Sequence, residues 1–463
     1  MHPEDTIAAI ATPQGTGALG LIRLSGKNTF DICNKVFKGK KLGDQAPNTV
    51  HYGHIVDGDT ILDEVMVSVF KAPKSFTAED SVEIACHGSS FILSNVLELL
   101  IRSGARMAAP GEFTIRAYLN GRIDLAQAEA VADVIASGNS SQLNLAMNQM
   151  RGGLSNQLSQ LRERLLNFIS LIELELDFGE EDVEFADRSG LRQQLNEMQL
   201  FIRPMINSFK LGNAIKNGIP VAIVGRPNAG KSSLLNALLN DDRAIVSDIA
   251  GTTRDTIEEE ININGVSFRF IDTAGIRQTE DVIEKIGIEK ALKTIDRASV
   301  VIYIFDAGSL AEDEIIHDLN MLRERNANSE LLVLGNKSDL LSEEKRAELE
   351  TVLANLKVNH RLVKLKDQLH SETDGIRSSL YEQMQLGKMN EHSTIISNAR
   401  HHQCLREADE AIQSVLTLMD SNATSDLLAL EMRRAVNAIG DITGTITNDE
   451  VLGNIFGKFC IGK

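Results

Sequence analysis

Three features of the sequence predict a multidomain protein of mixed α+β and α/β class. Short strand-like runs alternate with turns over the first hundred or so residues. Long helical periodicities flank the middle of the chain on both sides. A strand, a glycine-rich loop and a helix follow one another over 219–239.

In the first region, 6–11, 19–24, 64–70 and 81–85 read as strands, and 91–101 reads as a helix, giving an α+β domain over 1–120. From Asp124 the period changes to that of helices, at 124–136, 142–176 and 191–209, with few Gly or Pro breakers. Helical periodicity returns at 401–419, 427–439 and 449–456. Neither set has a partner of its own. The economical reading is one discontinuous helical domain built from 121–212 and 386–463, with an α/β domain over 213–385 inserted between its halves. The acidic run 177–184 reads as a solvated loop.

Composition sets limits on function. Over 463 residues, 43% hydrophobic and 24% charged content describes an ordinary protein with a sizeable core. A formal charge of −18 disfavours broad contact with nucleic-acid phosphates or anionic membranes, so an RNA substrate would need a local basic patch or a basic partner. No stretch approaches membrane-spanning length, and the first residues carry no basic or apolar leader pattern, so a cytoplasmic protein is expected. Cys33, Cys86, Cys404 and Cys460 are scattered without C-x-x-C spacing, which indicates neither a disulfide framework nor a zinc site.

The inserted domain carries the chemistry. Gly225-Arg-Pro-Asn228-Ala229-Gly230-Lys231-Ser232 is a G-x-x-x-x-G-K-S loop between the apolar run 219–224 and the helical run beginning at Ser233. Its glycines let backbone N–H groups turn around phosphate oxygens, Lys231 reaches the terminal phosphates, and the Ser232 hydroxyl suits Mg²⁺. Downstream, Ser247-Asp248-Ile249-Ala250 leads into Gly251-Thr252-Thr253, where an ordered Thr253 can close the Mg²⁺ shell. Asp272-Thr273-Ala274-Gly275 follows a strand, with an Asp able to hold the metal through water and a glycine amide able to sense the γ-phosphate. Asn336-Lys337-Ser338-Asp339 follows another strand, and its Asp carboxylate can accept both guanine N1–H and N2–H. Four motifs in this order describe a Ras-like guanine-nucleotide domain. However, Ras-like switches place a water-orienting glutamine after D-x-x-G, and here the residue is Ile276. No arginine finger is identifiable either, so another group must position water.

A GTPase of this type inside a helical domain, behind Asp5-Thr-Ile-Ala-Ala-Ile-Ala-Thr-Pro13, closely resembles the MnmE family of tRNA-modification GTPases over essentially the whole chain. The most specific parts are that opening segment, the run 110–120 with 124–130, the Gly251 to Asp255 motif and the ending Phe459-Cys-Ile-Gly-Lys463. The resemblance implies a homodimer that works with an FAD-containing partner of the MnmG type. Together they install an aminomethyl or carboxymethylaminomethyl group at C5 of the tRNA wobble uridine. It further implies K⁺-dependent hydrolysis, with K⁺ held by Asn228, the carbonyls of Ser247 and Ile249, and the side chain of Thr252. Glu284 takes the water-orienting role. A formyl- or methylene-tetrahydrofolate is implied in the N-terminal domain, at Arg23, Glu79, Arg122 and Lys463, where the family usually carries Lys in place of Arg122.

Some points stay open at this stage. The base-packing S-A-K loop is not found around 369–376. Cys460 is either a reactive thiol or part of a structural or folate-lining tail, and Cys460-Ile-Gly-Lys463 does not meet the demands of a prenylation box. The alternative readings are a ribosome-assembly GTPase switch, which usually adds a basic RNA-binding module, and a self-sufficient folate-dependent aminomethyltransferase regulated by its G domain.

Overall fold

The computed structural model describes residues 5–177, 188–242, 259–271, 294–326, 329–366, 370–384, 394–421, 423–445, 452, 455–456, 459 and 462. The N-terminal part holds strands β1 (Ile7–Ile10), β2 (Leu19–Ser25), β3 (Phe37–Lys38), β4 (Thr49–Asp57), β5 (Thr60–Phe70), β6 (Ser81–His87) and β7 (Arg106–Met107), with helices α1 (Thr29–Val36), α2 (Ser90–Arg102) and α3 (Glu112–Leu119). Next come α4 (Leu125–Ala136), α5 (Ser140–Met150), α6 (Gly153–Asp177) and α7 (Arg188–Asn217). The α/β part contains β8 (Ile219–Val224), α8 (Lys231–Asp242), β9 (Glu259–Ile263), β10 (Val266–Phe270), β11 (Val300–Asp306), α9 (Glu312–Arg325), β12 (Glu330–Asn336), α10 (Glu343–Asn355), β13 (Asn359–Leu362) and α11 (His370–Gln383). Helices α12 (Ala399–Asp420) and α13 (Ser425–Thr443) follow.

Residues 1–136, 146–199 and 404–463 form one compact unit, and 137–145 with 200–403 form the other. In the first, a seven-stranded sheet has the order β3-β4-β5-β6-β2-β1-β7. Alternation along β5 turns Val65, Val67 and Val69 to one face, where they meet Val82 and Ile84 of β6 and Ile22 and Leu24 of β2. Leu93, Val96, Leu97 and Leu100 make a helical stripe on α2 and close that face. The hairpin β4–β5 is longer than the expected strand at 64–70, and β3, β4, β7 and α1 were not separately legible. The expected helix over 142–176 is broken at Gly152, whose φ of +80° is left-handed and interrupts the run between α5 and α6.

The two helical flanks do meet. Helix α6 packs along α13, and Arg433 of α13 pairs with Glu173 of α6. Apolar residues Leu428, Met432, Ala435, Val436 and Ile439 line the buried stripe of α13. Its end is fixed at Gly444, φ +82°, whose carbonyl accepts from the Tyr118 hydroxyl at 2.6 Å.

In the second unit the sheet order is β13-β12-β11-β8-β10-β9, all parallel except the β9–β10 pair. Helices cover both faces, so β11 and β12 are nearly continuous apolar runs and two hydrophobic clusters flank the sheet. The boundary expected between 212 and 213 falls inside α7, which continues to Asn217.

Candidate functional site

The G-x-x-x-x-G-K-S loop and the N-K-S-D turn both lie at the carboxyl ends of parallel strands, β8 and β12, where ligands of open α/β sheets bind. The loop after β8 crosses close to β11: a Cβ at Gly225 would lie 2.0 Å from the Ile304 carbonyl oxygen. At its other end Gly230 has φ +106°, and a Cβ there would stand 2.3 Å from Asn336 Nδ2. Between them Asn228 is exposed and left-handed, φ +61°. Ala229 is buried, and Lys231, Ser232 and Ser233 begin α8, so their N–H groups lack intrahelical acceptors and face the loop. Lys231 Nζ donates to the carbonyls of Gly225 at 2.8 Å and Arg226 at 2.9 Å. Burial lowers its affinity for the proton, a cost that a phosphate at this position would relieve. Arg226, the loop's own arginine, is held by Glu314 at 2.7 Å and Asp318 at 3.1 Å on α9.

Asn336 ties the site together. Buried at the end of β12, it donates from Nδ2 to the Ala229 carbonyl at 2.9 Å and accepts at Oδ1 from the Leu365 N–H at 3.3 Å. Ser338 N–H donates to the Val363 carbonyl at 3.2 Å. The segment 363–366 therefore lies beside Asn336, whereas the window 369–376 searched for the base-packing loop is largely occupied by α11. Lys337, φ +61°, pairs with Asp306 at the end of β11 at 2.6 Å. Burial alone would raise the Asp306 carboxyl, but the Lys337 ammonium and the Gly308 N–H hold it below the usual carboxylate range. Asp339 is exposed on a turn over Ser338–Leu340. Ser247, Asp248, Ile249, Ala250, Gly251, Thr252, Thr253, Asp272, Thr273, Ala274, Gly275 and Glu284 lie outside the described residues.

A second constellation stands around α3. Arg23 on β2 pairs with its cross-strand neighbour Glu83 at 2.7 Å and lies near the rings of Phe76 and Phe113, 5.8 and 5.7 Å from their centroids. Glu79 accepts from the Ser25 hydroxyl at 2.7 Å and from Arg116 at 3.3 Å. Asn120 Nδ2 donates to the Thr77 carbonyl at 2.7 Å, which fixes the loop carrying Glu79 against the end of α3. The exposed side chain of Arg122 makes no ion pair among the described residues. Cys460 and Lys463 lie outside the described residues, but their neighbours are close to this site. A Cβ at Gly462 would meet the Ile10 carbonyl oxygen at 2.4 Å, and one at Gly111 would meet the Phe456 carbonyl oxygen at 2.9 Å. Ile10 pairs with Ile22, the residue beside Arg23.

Sequence reasoning missed the charge network beneath Glu79. Arg116, 7% exposed, bonds the Asp5 carbonyl at 2.8 Å, Glu112 at 3.1 Å and Glu79, while Arg106 bonds Asp5 at 2.6 Å and Glu112. Burial would raise the Glu112 and Asp5 carboxyls, yet the two guanidiniums keep both below the ordinary range. Glu112 and Arg116 stood four apart in a segment already singled out. On a helix that spacing signals a pair, but not its burial.

The family model described as GTP-binding protein TrmE N-terminus matches residues 6–122, and the MnmE helical domain model matches 125–460. A protein named tRNA modification GTPase MnmE from Flavobacterium johnsoniae is 51% identical, covering 100% of both chains. Proteins of the same name from Bacteroides thetaiotaomicron and Porphyromonas gingivalis are 49% and 47% identical, each covering 99% of this chain and respectively 100% and 98% of their own. Among the described residues no helix is long and apolar enough to cross a membrane.

Proposed function

The chain belongs to the MnmE family of tRNA-modification GTPases, and on that premise we propose that it is a K⁺-activated GTPase serving wobble-uridine modification. The observation that carries the nucleotide half is the Asn336 brace, which joins the phosphate loop, the N-K-S-D turn and segment 363–366 at one strand edge.

In this reading the α8 N–H groups bind the β-phosphate region, and Lys231 exchanges its two carbonyl partners for phosphate oxygens. Asp339 accepts the guanine N–H pair, and 363–366 covers the base. Ser232 and Thr253 would hold Mg²⁺, which supplies charge neutralisation on the phosphates. Asn228, Ser247, Ile249 and Thr252 offer neutral oxygens that suit a hard cation, and K⁺ there would supply the positive charge an arginine finger otherwise brings. The exposed, left-handed Asn228 at the crest of the loop fits that ligand set. With Arg226 engaged on α9, the loop's own guanidinium is not free for the role. Glu284 orients the attacking water that Ile276 cannot.

The N-terminal domain would bind a 5-formyl- or methylene-tetrahydrofolate, which supplies a one-carbon unit. The chemistry of the residues fits: Glu79 presents a carboxylate steadied by Ser25 and Arg116, suited to a donor pair on a pterin edge, and the exposed Arg122 suits a glutamate tail. Arg23 must share its guanidinium with Glu83, and Lys463 would close the pocket beside Gly462. Acting as a homodimer with an MnmG-type FAD partner, in the cytoplasm, the chain would support aminomethyl or carboxymethylaminomethyl transfer to uridine C5.

GTP turnover at equal ionic strength in KCl and NaCl tests the proposal. A steep rise in K⁺ is expected, recovering part of the roughly 10³–10⁵ that a finger arginine provides; equal rates would overturn it.

A further inference from the structure

We propose that a lysine-rich edge of the N-terminal sheet binds the phosphate backbone of the tRNA. The proposal rests on the reading of tRNA as substrate and adds where this acidic chain would touch it. A protein of net charge −18 needs a local basic surface to approach a polyanion.

Such a surface exists where α1, β3 and the loop after β5 come together. Lys35 lies in the last turn of α1 with its ammonium on the Ser103 carbonyl at 2.8 Å, Lys38 lies in the edge strand β3, Lys40 and Lys41 occupy the turn that follows, and Lys74 lies in the loop after β5; all five are exposed. Three hydrogen bonds gather them. Leu42 N–H donates to Asn34 Oδ1 at 2.9 Å, which fastens the turn to the end of α1. Lys71 Nζ donates to the Gly43 carbonyl at 2.8 Å, and Lys74 N–H to the Lys71 carbonyl at 2.9 Å, which fastens the loop to the turn.

Asp31, Asp44 and Asp80 lie close by, against five lysines, so the patch keeps a net positive charge. Asp44 meets Lys41 at 3.9 Å with both side chains about two-thirds exposed, a pair of little strength. Asp80 accepts from the Ala72 N–H at 3.0 Å, which ties its carboxylate to the backbone of the loop and not to a lysine. Protection of a sheet edge explains a lysine on β3, since lysines on edge strands deter further pairing. It does not explain Lys40, Lys41 and Lys74, which lie on turns with no ladder to defend. Lysines are flexible point charges, suited to phosphates read without regard to sequence. Position adds to the case: the loop holding Lys74 continues directly into Phe76 and Glu79, which line the site proposed above for the one-carbon unit. RNA held on this edge would therefore lie beside the pocket that its uridine must reach.

The test uses the full chain and an unmodified tRNA transcript, with affinity followed by fluorescence anisotropy between about 50 and about 200 mM KCl. Each lost phosphate contact flattens the slope of log affinity against log salt by about 0.7–0.9. The triple variant Lys40→Gln, Lys41→Gln, Lys74→Gln should flatten it by about 2 and bind at least about tenfold more weakly at about 100 mM. A second variant, Lys345→Gln, Arg346→Gln, Lys357→Gln, removes as many exposed cations on and just after α10 and should leave the slope unchanged. K⁺-stimulated GTP hydrolysis should persist in both, which shows that they fold. An unchanged slope in the first variant, an equal loss in the second, or no tRNA binding by the unaltered chain overturns the proposal. Nucleoside analysis of a deletion strain separates the two layers. If the unaltered chain restores wobble modification while the first variant binds tRNA normally, the patch is wrong and the substrate reading stands. If it restores none, the substrate reading fails first.

Discussion

Replacing Asn336 by alanine should loosen the nucleotide site before any nucleotide is bound. The side chain is 5% exposed and satisfies two backbone groups, the Ala229 carbonyl and the Leu365 N–H. Removing it leaves an acceptor in the phosphate loop and a donor in 363–366 without their partner, each at a cost of about 1–3 kcal/mol. The combined loss is roughly 2–6 kcal/mol, toward the lower end where water enters the space left by the side chain and replaces one of the bonds. In a multidomain chain a single unfolding midpoint would not isolate this effect, so the assay is hydrogen exchange read on peptides covering 219–239 and 359–366. Both should exchange about thirtyfold faster or more in the nucleotide-free variant, and GDP affinity should fall with them. Asp339→Asn is the contrasting case. Exposed on its turn, Asp339 should leave exchange in both peptides unchanged while its loss relaxes the preference for guanine. Unaltered exchange in Asn336→Ala would refute the brace, since the two bonds would then contribute nothing to holding the loop.

Other expectations follow from the same geometry. Glu284→Ala should lower kcat for GTP hydrolysis by about 10² or more with nucleotide affinity nearly intact, and a parallel loss of GTP binding would make the residue structural. Arg116→Ala should destabilise the N-terminal domain by about 1–3 kcal/mol, because the Asp5 carbonyl loses its donor and Glu79 its cation while Glu112 keeps Arg106, and Arg116→Lys should recover only part of this in hydrogen exchange read on peptides from that domain. His87 is raised above its ordinary value by its bond to Asp63, so its stabilising pairing is fully present below about pH 6.5 and fades as the pH rises through the raised value. Hydrogen exchange in peptides covering β5 and β6 should therefore speed up most in His87→Gln, relative to the unaltered chain, near about pH 5.5 and differ little near about pH 9, after correction for the intrinsic pH dependence of exchange. Deleting 459–463 should weaken 5-formyltetrahydrofolate binding in calorimetry while K⁺-stimulated GTP hydrolysis persists, and unchanged folate affinity would remove those residues from the pocket.

Motifs that fix backbone conformation were legible in the sequence, and contacts between distant side chains were not. Gly225 and Gly230 could be read as loop glycines because few other residues tolerate those conformations, and the structure adds what a Cβ would strike at each. The long helices could be read from their period, except where Gly152 breaks one. That Asn336 reaches Ala229, or that Asp5 reaches Arg116, depends on sequence separations of 107 and 111 residues, and no local pattern encodes such a meeting. The position of 363–366 beside Asn336 was illegible for a related reason: β13, Asn-His-Arg-Leu, alternates weakly and sits at the sheet edge, so the strand that leads into the segment carries little signal.

The central claim, that this GTPase serves modification of the wobble uridine, is tested most directly by mass analysis of nucleosides from tRNA. The cells should lack the gene and be complemented either with the unaltered chain or with Lys231→Ala. The account predicts C5-aminomethyl or carboxymethylaminomethyl uridine derivatives with the unaltered chain and their absence with Lys231→Ala. Identical nucleoside profiles in the deleted and complemented strains would contradict it.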